Sequence, residues 1–206
     1  MNRSQAARRV FLGDVANVRN LVKIGILSAI AVVLMFIEFP LPLFPAFLKI
    51  DVSDLPALIG GFALGPVAGI FIELMKNILH ILLKGTSTGG VGELANFLIG
   101  IGFVVPASVI YLMNKTKKGA LWGMLAGTVV MGIFGAFANY YIIIPLYQKI
   151  MPLDAIINMA AQANPGIVDV KTYVLYAVIP FNAIKSIIIS ALTLLLYKKV
   201  SGILHR

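Results

Sequence analysis

Residues 177–197 read "AVIPFNAIKSIIISALTLLLY". A run of this length, apolar throughout except for a few polar side chains, matches the roughly 20 residues that an α-helix needs to cross hydrocarbon. Yet Asn182 and Lys185 stand inside it. A charged side chain at the centre of such a helix costs about 2.5–3.5 kcal/mol on insertion scales, so it needs either a partner or a task. Their i, i+3 spacing puts both on one helix face, with Ser186 beside them.

The remainder of the chain agrees with a membrane reading. Of 206 residues, 60% are hydrophobic and 12% charged, against about 25% charged in ordinary soluble domains. The formal net charge of +9 falls in short blocks between apolar runs. It therefore reads as membrane topology and contact with anionic lipid rather than as a nucleic-acid surface. Cysteine is absent, which removes disulfides, thiolate nucleophiles and Cys-based metal sites. The basic N-terminal stretch "MNRSQAARRVFLGDVANVRN" precedes an apolar run that has no small-residue cleavage site, so the run reads as a retained first helix.

Charges, Gly and Pro divide the apolar sequence into six predicted helices, at 21–39, 54–64, 66–83, 91–113, 119–148 and 172–198. The second is too short to cross a bilayer and is parted from the third at Gly65-Pro66. Eleven Lys and Arg fall on one side of this layout (Arg3, Arg8, Arg9, Arg19, Lys23, Lys115, Lys117, Lys118, Lys198, Lys199, Arg206) and four on the other (Lys49, Lys84, Lys149, Lys171). The positive-inside rule then puts both termini in the cytoplasm. The expected fold is an all-α integral membrane protein, a six-transmembrane-helix bundle over residues 21–200, with a basic cytoplasmic arm at 1–20 and a cytoplasmic tail at 201–206. Residues 40–53 and 149–171 are expected as outer loops, the first either a lid over a cavity or a segment resting on the headgroups.

Four polar groups fall inside the predicted spans. Asn182 and Lys185 lie about 15 and 20 Å below the outer surface, counted at the helical rise. Lys185 either faces a ligand, snorkels, or pairs with a buried carboxylate. Asn139, in "GAFANYYIIIPLY", is flanked by Phe137, Tyr140 and Tyr141 and serves either a ligand or an interhelical hydrogen bond. In "GELANF", Glu93, Asn96 and Phe97 share a face of the fourth helix, although Glu93 near a helix start also suits the helix dipole. These three sites lie in the outer half of the membrane, where they can converge on one pocket. The fourth group, "ELMKNILH", stacks Glu73, Lys76, Asn77 and His80 along the third helix. It reads as a Glu–Lys pair with a satisfied His, or alternatively as the site of a membrane enzyme; one His and one Glu do not make a metal site.

Neither a phosphate loop nor the common hydrolase motifs occur, so catalytic residues are not assigned. All five Arg lie at residues 3, 8, 9, 19 and 206, outside the spans, which disfavours a phosphorylated ligand. On the first helix, "KIGILSAIAVV" places Gly25 and Ala29 in small-xxx-small spacing with Ser28 alongside, a face that lets another helix approach closely.

Taken in order, "DVSDLPALIGGFALGPVAGIFIELMKNILHIL", "STGGVGELANFLIG", "FANYYIIIPLY" and "IPFNAIKS" resemble the membrane-embedded substrate-binding (S) components of energy-coupling-factor vitamin transporters, the riboflavin-binding kind. The resemblance spans about residues 20–200. It implies a six-helix bundle holding riboflavin as transported ligand, with no cofactor, beneath the first external loop. Asn139, Asn182 and Lys185 would meet the vitamin's polar atoms, and Glu93 and Asn96 would contribute contacts. It further implies a docking face at Gly25 and Ala29, where the family has Ala-x-x-x-Ala, for a transmembrane coupling subunit that works with two ATP-binding subunits. Another vitamin or a flavin phosphate as cargo, and a membrane enzyme using Glu73, Lys76 and His80, are the alternatives.

Overall fold

The structure, a computed structural model, describes residues 17–204; the expected arm through residue 16 and the last two residues of the expected tail lie outside the described residues. Helix α1 (Val18–Phe36) starts where the Asn17 side chain accepts the Arg19 N–H, 3.0 Å away. Ile24, Leu27, Ser28, Ala31, Val32 and Met35 form its buried stripe, the i, i+3, i+4, i+7 pattern of a helix with one packed face. Val22, Ile26, Ile30 and Val33 point outward.

The helix stops three residues before its expected end. Beyond it, Phe39–Pro40 (β1) pairs antiparallel with Lys49–Ile50 (β2). The ribbon takes its first residue from the end of the expected first helix and the rest from the outer loop expected at 40–53. Glu38, just before β1, accepts hydrogen bonds from Lys49 at 2.9 Å and Lys84 at 2.8 Å through Oε1. Burial disfavours its charge, but these two ammoniums prevail and hold its carboxyl below the usual range.

Helix α2 (Asp54–Leu64) and helix α3 (Pro66–Lys84) meet at Gly65, whose φ of 109° is reached easily only by glycine. Pro66 opens α3, where its missing N–H costs nothing. From Asp54 through Phe62 every residue of α2 is buried. A helix this short reaches about half the hydrocarbon thickness, and it is surrounded by protein rather than lipid.

Helix α4 (Val91–Met113) is followed by α5 (Lys117–Tyr147), which contains a π-helical stretch at Asn139–Ile143. The outer loop expected at 149–171 holds a helix, α6 (Leu153–Ala163). The last helix, α7, opens with a capping box between Asp169 and Thr172 and runs through Val170–Tyr173 and a π-helical stretch, Val174–Val178, into Ile179–Leu204. Among the described residues, five helices (α1, α3, α4, α5 and α7) are long and apolar enough to cross a membrane, and α2 is not.

Two apolar clusters hold the bundle together. The inner one joins α1 to α5 with α7 and includes Phe62 stacked on Tyr111 at 4.4 Å. The outer one packs Ile156 and Ala160 of α6 against Ile144 of α5 and Tyr173, Val174 and Ala177 of α7. Phe47 and Leu48 of the loop between the strands also join it, with the Phe47 and Tyr173 rings 6.1 Å apart.

Candidate functional site

Between the strand loop, α4, α5 and α7 lies a partly open cleft with about 100 Å³ of enclosed space. Its walls are apolar and aromatic: Phe47 and Leu48 from the loop, Ile99 from α4, Tyr147 from α5, Tyr173 and Phe181 from α7. The aromatic neighbours of Asn139 noted in the sequence contribute little to it. Phe137 and Tyr141 are 55% and 62% exposed and pack against each other at 4.7 Å.

Asn96, Asn139, Asn182 and Lys185 also line this cleft, brought together from three helices. Asn139 is the first residue of the π-helical stretch in α5, and π-bulges of this kind recur at functional sites. Its Nδ2 donates to Gly135 O at 2.9 Å. Asn182 is 4% exposed and makes no hydrogen bond among the described residues. It fits because Gly135 carries no side chain: a Cβ there would stand 3.1 Å from Asn182 Nδ2. Its amide is not sealed off but opens on the cleft, where the polar atoms of a ligand can meet it.

Lys185 is not left to a ligand alone. Its ammonium lies 3.2 Å from Asp51 Oδ2 and 3.1 Å from Asp54 Oδ2, so it both borders the cleft and pairs with buried carboxylates. Asp54 also pairs with Lys76, which in turn lies 2.8 Å from Glu73 Oε2 and donates to Ser53 Oγ at 2.9 Å. Three carboxylates and two ammoniums therefore form one buried cluster that reaches the cleft through Lys185. Burial opposes ionisation of Asp51, but Lys185 and Lys76, together with hydrogen bonds from Ser53, hold its carboxyl down at about 2.

Asp51 and Asp54 did not emerge as candidates from the sequence. A signal was available: two lysines inside spans require carboxylates, and the chain has only eight Asp and Glu in all, two of them flanking "VS" at the start of a buried helix.

Glu93 lines an adjoining cleft instead, which shares Phe47, Lys49, Gly92, Asn96 and Tyr147 with the first. Its Oε1 lies 3.3 Å from His80 Nδ1, and its Oε2 accepts from the hydroxyl of Thr86 at 3.0 Å. The group read along α3 is thus divided. Lys76 and Glu73 are sealed at 0% exposure, while His80 stands beside Glu93, so the three residues of the enzyme alternative share no open site.

Gly25 and Ala29 lie on the exposed side of α1. Gly25 borders a shallow apolar groove with Leu21, Ile24, Phe71 and Met75, and a Cβ built on it would meet nothing within 4 Å. Ser28 turns inward, donating to Ile24 O at 2.8 Å.

Three comparisons bear on this geometry. The profile of the family described as "ECF transporter, substrate-specific component" matches residues 19–197. The riboflavin transporter RibU of Staphylococcus aureus (strain TCH60) is 41% identical over 91% of this chain and 93% of its own length. The riboflavin transporter FmnP of Bacillus subtilis (strain 168) is 37% identical over 89% and 92%. A solved S component of a bacterial ECF transporter aligns with a TM-score of 0.71 at 37% identity, covering 91% of this chain and 98% of that one.

Proposed function

Because this chain belongs to the family of ECF transporter substrate-specific components, we propose that it is the riboflavin-binding subunit of such a transporter in the plasma membrane, and that it captures the vitamin from outside the cell. The relatives are transporters, and the chain is one too rather than an enzyme. The observation that carries the ligand reading is the cleft itself, with aromatic and aliphatic walls and the unpaired amide of Asn182 facing into it.

Riboflavin has a flat tricyclic ring whose faces are apolar, with carbonyls on one edge and hydroxyls along its chain. The walls suit the faces, and Asn139, Asn182 and Asn96 suit the polar atoms that must exchange water for protein hydrogen bonds. Lys185 has the reach for one more donor, while Glu93 supports the neighbouring cleft. The names of the two relatives support the same cargo.

Delivery to the cytoplasm requires energy that this chain has no phosphate loop to extract. A transmembrane coupling subunit with two ATP-binding subunits supplies it, docking on the open face at Gly25 and Ala29. In this reading residues 21–200 form a bundle of six membrane-embedded helices, the short buried α2 among them, with the basic arm 1–20 and the tail 201–206 in the cytoplasm, as the eleven-to-four distribution of Lys and Arg suggests.

The test is an absorption spectrum of the chain purified in detergent from riboflavin-supplied cells. A bound flavin colours it yellow at a stoichiometry approaching one. A colourless protein that stays colourless after incubation with riboflavin refutes the reading.

A further inference from the structure

We propose that Asp51 is a positioning residue for the cleft: it borders the adjoining cleft rather than this one, and its carboxylate holds two of this cleft's polar side chains and ties both to the strand loop. The proposal rests on the ligand reading above. Asp51 is 4% exposed and immediately follows β2. One oxygen, Oδ1, accepts the Ser53 N–H at 2.8 Å, which fixes the carboxylate to the start of α2. The other, Oδ2, faces Lys185 Nζ at 3.2 Å and Asn96 Nδ2 at 3.5 Å.

Those two partners come from α7 and α4, and both border the cleft. A lysine ammonium sits on a flexible four-carbon stem and goes where its counter-charge is. Asp54, the second carboxylate beside Lys185, is shared with Lys76. Asp51 contacts Lys185 and Asn96 at once, so it sets the separation of the two. It also stands two residues beyond Lys49 and four beyond Phe47, which form the loop's share of the cleft wall. The ribbon pairing of Ile50 with Phe39 makes that short connection stiff. A shift of the loop therefore moves the Asp51 carboxylate, and with it the donors on the far side of the ligand.

The test is a double-mutant cycle on riboflavin affinity, read by quenching of flavin fluorescence. Asp51→Asn is measured alone, Lys185→Met alone, and the two together. Alone, Asp51→Asn is expected to weaken binding about tenfold, and in the Lys185→Met background by less than about twofold, because contacting residues couple while independent ones add. Asp51→Glu keeps the charge should the Asn variant fail to fold. It is expected to weaken binding several-fold in the Lys185 protein only, and to displace the bound flavin's absorption band in the same direction as Lys185→Met does.

Equal losses in both backgrounds, or an Asp51→Glu band identical to the wild type, overturn the positioning role while leaving riboflavin as ligand. Absence of riboflavin binding in the unsubstituted protein overturns the ligand reading and this inference with it.

Discussion

A Cβ built on Gly135 would stand 3.1 Å from Nδ2 of Asn182, so the missing side chain in α5 is what gives the amide of α7 its place beside the cleft. That separation is tighter than ordinary van der Waals contact, so a methyl added there must push the amide aside. Gly135→Ala is expected to displace Asn182 and weaken riboflavin binding about 3- to 30-fold, while the added methyl favours the helix. A titration of the variant checks it, with its melting temperature in detergent showing that the fold is kept.

Asn182→Ala removes the amide altogether. The loss expected is about 1–3 kcal/mol of binding free energy, the range for leaving a buried polar partner unsatisfied. Isothermal titration with riboflavin measures it, and an unchanged affinity would take Asn182 out of the site.

Lys76 is 0% exposed and holds Asp54 and Glu73 together. Lys76→Met leaves both carboxylates in an interior with one ammonium fewer, which is expected to cost about 3–5 kcal/mol of stability. Thermal unfolding in detergent should show a large drop in midpoint, in contrast to substitutions of exposed lysines such as Lys49, whose ion pair is worth about 1 kcal/mol at most.

Gly25→Leu tests the outer face of α1. The space around Gly25 is open, so the variant is expected to fold and to bind riboflavin with unchanged affinity. Uptake by cells that supply the coupling subunits should fall sharply, because a leucine there blocks close helix approach. Normal uptake would place docking on another surface.

Glu38 predicts a response to acid. Its folded-state carboxyl sits below the usual value, despite partial burial, because Lys84 and Lys49 stabilise the charged form. Its contribution is therefore complete above the unfolded value of about 4.3 and is lost as the pH falls through the lower, folded value. Melting of the wild type in low salt should weaken over that acid range by an increment that Glu38→Gln lacks. The lysines are 40% and 41% exposed, so added salt should shrink the increment.

Much of the helical layout was legible because hydrophobic runs and their breakers are local signals. Gly65-Pro66 marked the division between α2 and α3, and the expected spans 54–64 and 91–113 coincide with α2 and α4. Helix α6 was not legible. Only Ile156 and Ala160 of its eleven residues are buried, the segment is too short to cross a membrane, and its packing comes from α5 and α7. The strand ribbon is only two residues a side, below what alternation can reveal.

The site divides the same way. Asn139, Asn182 and Lys185 announced themselves as polar residues in apolar segments. What pairs with Lys185 did not, since Asp51 is 134 residues away in the chain and lies in what reads as a loop. The π-helical stretches, which depend on a single shifted backbone bond, leave no mark in composition.

The most direct measurement is a fluorescence titration of riboflavin with the ligand-free chain in detergent, run beside Asn182→Ala. Riboflavin emission should be quenched to an end point at one flavin per chain in the wild type, and the variant should need a higher protein concentration to reach it. Emission that persists undiminished with excess wild-type protein, or quenching identical in the variant, would contradict a riboflavin site in this cleft.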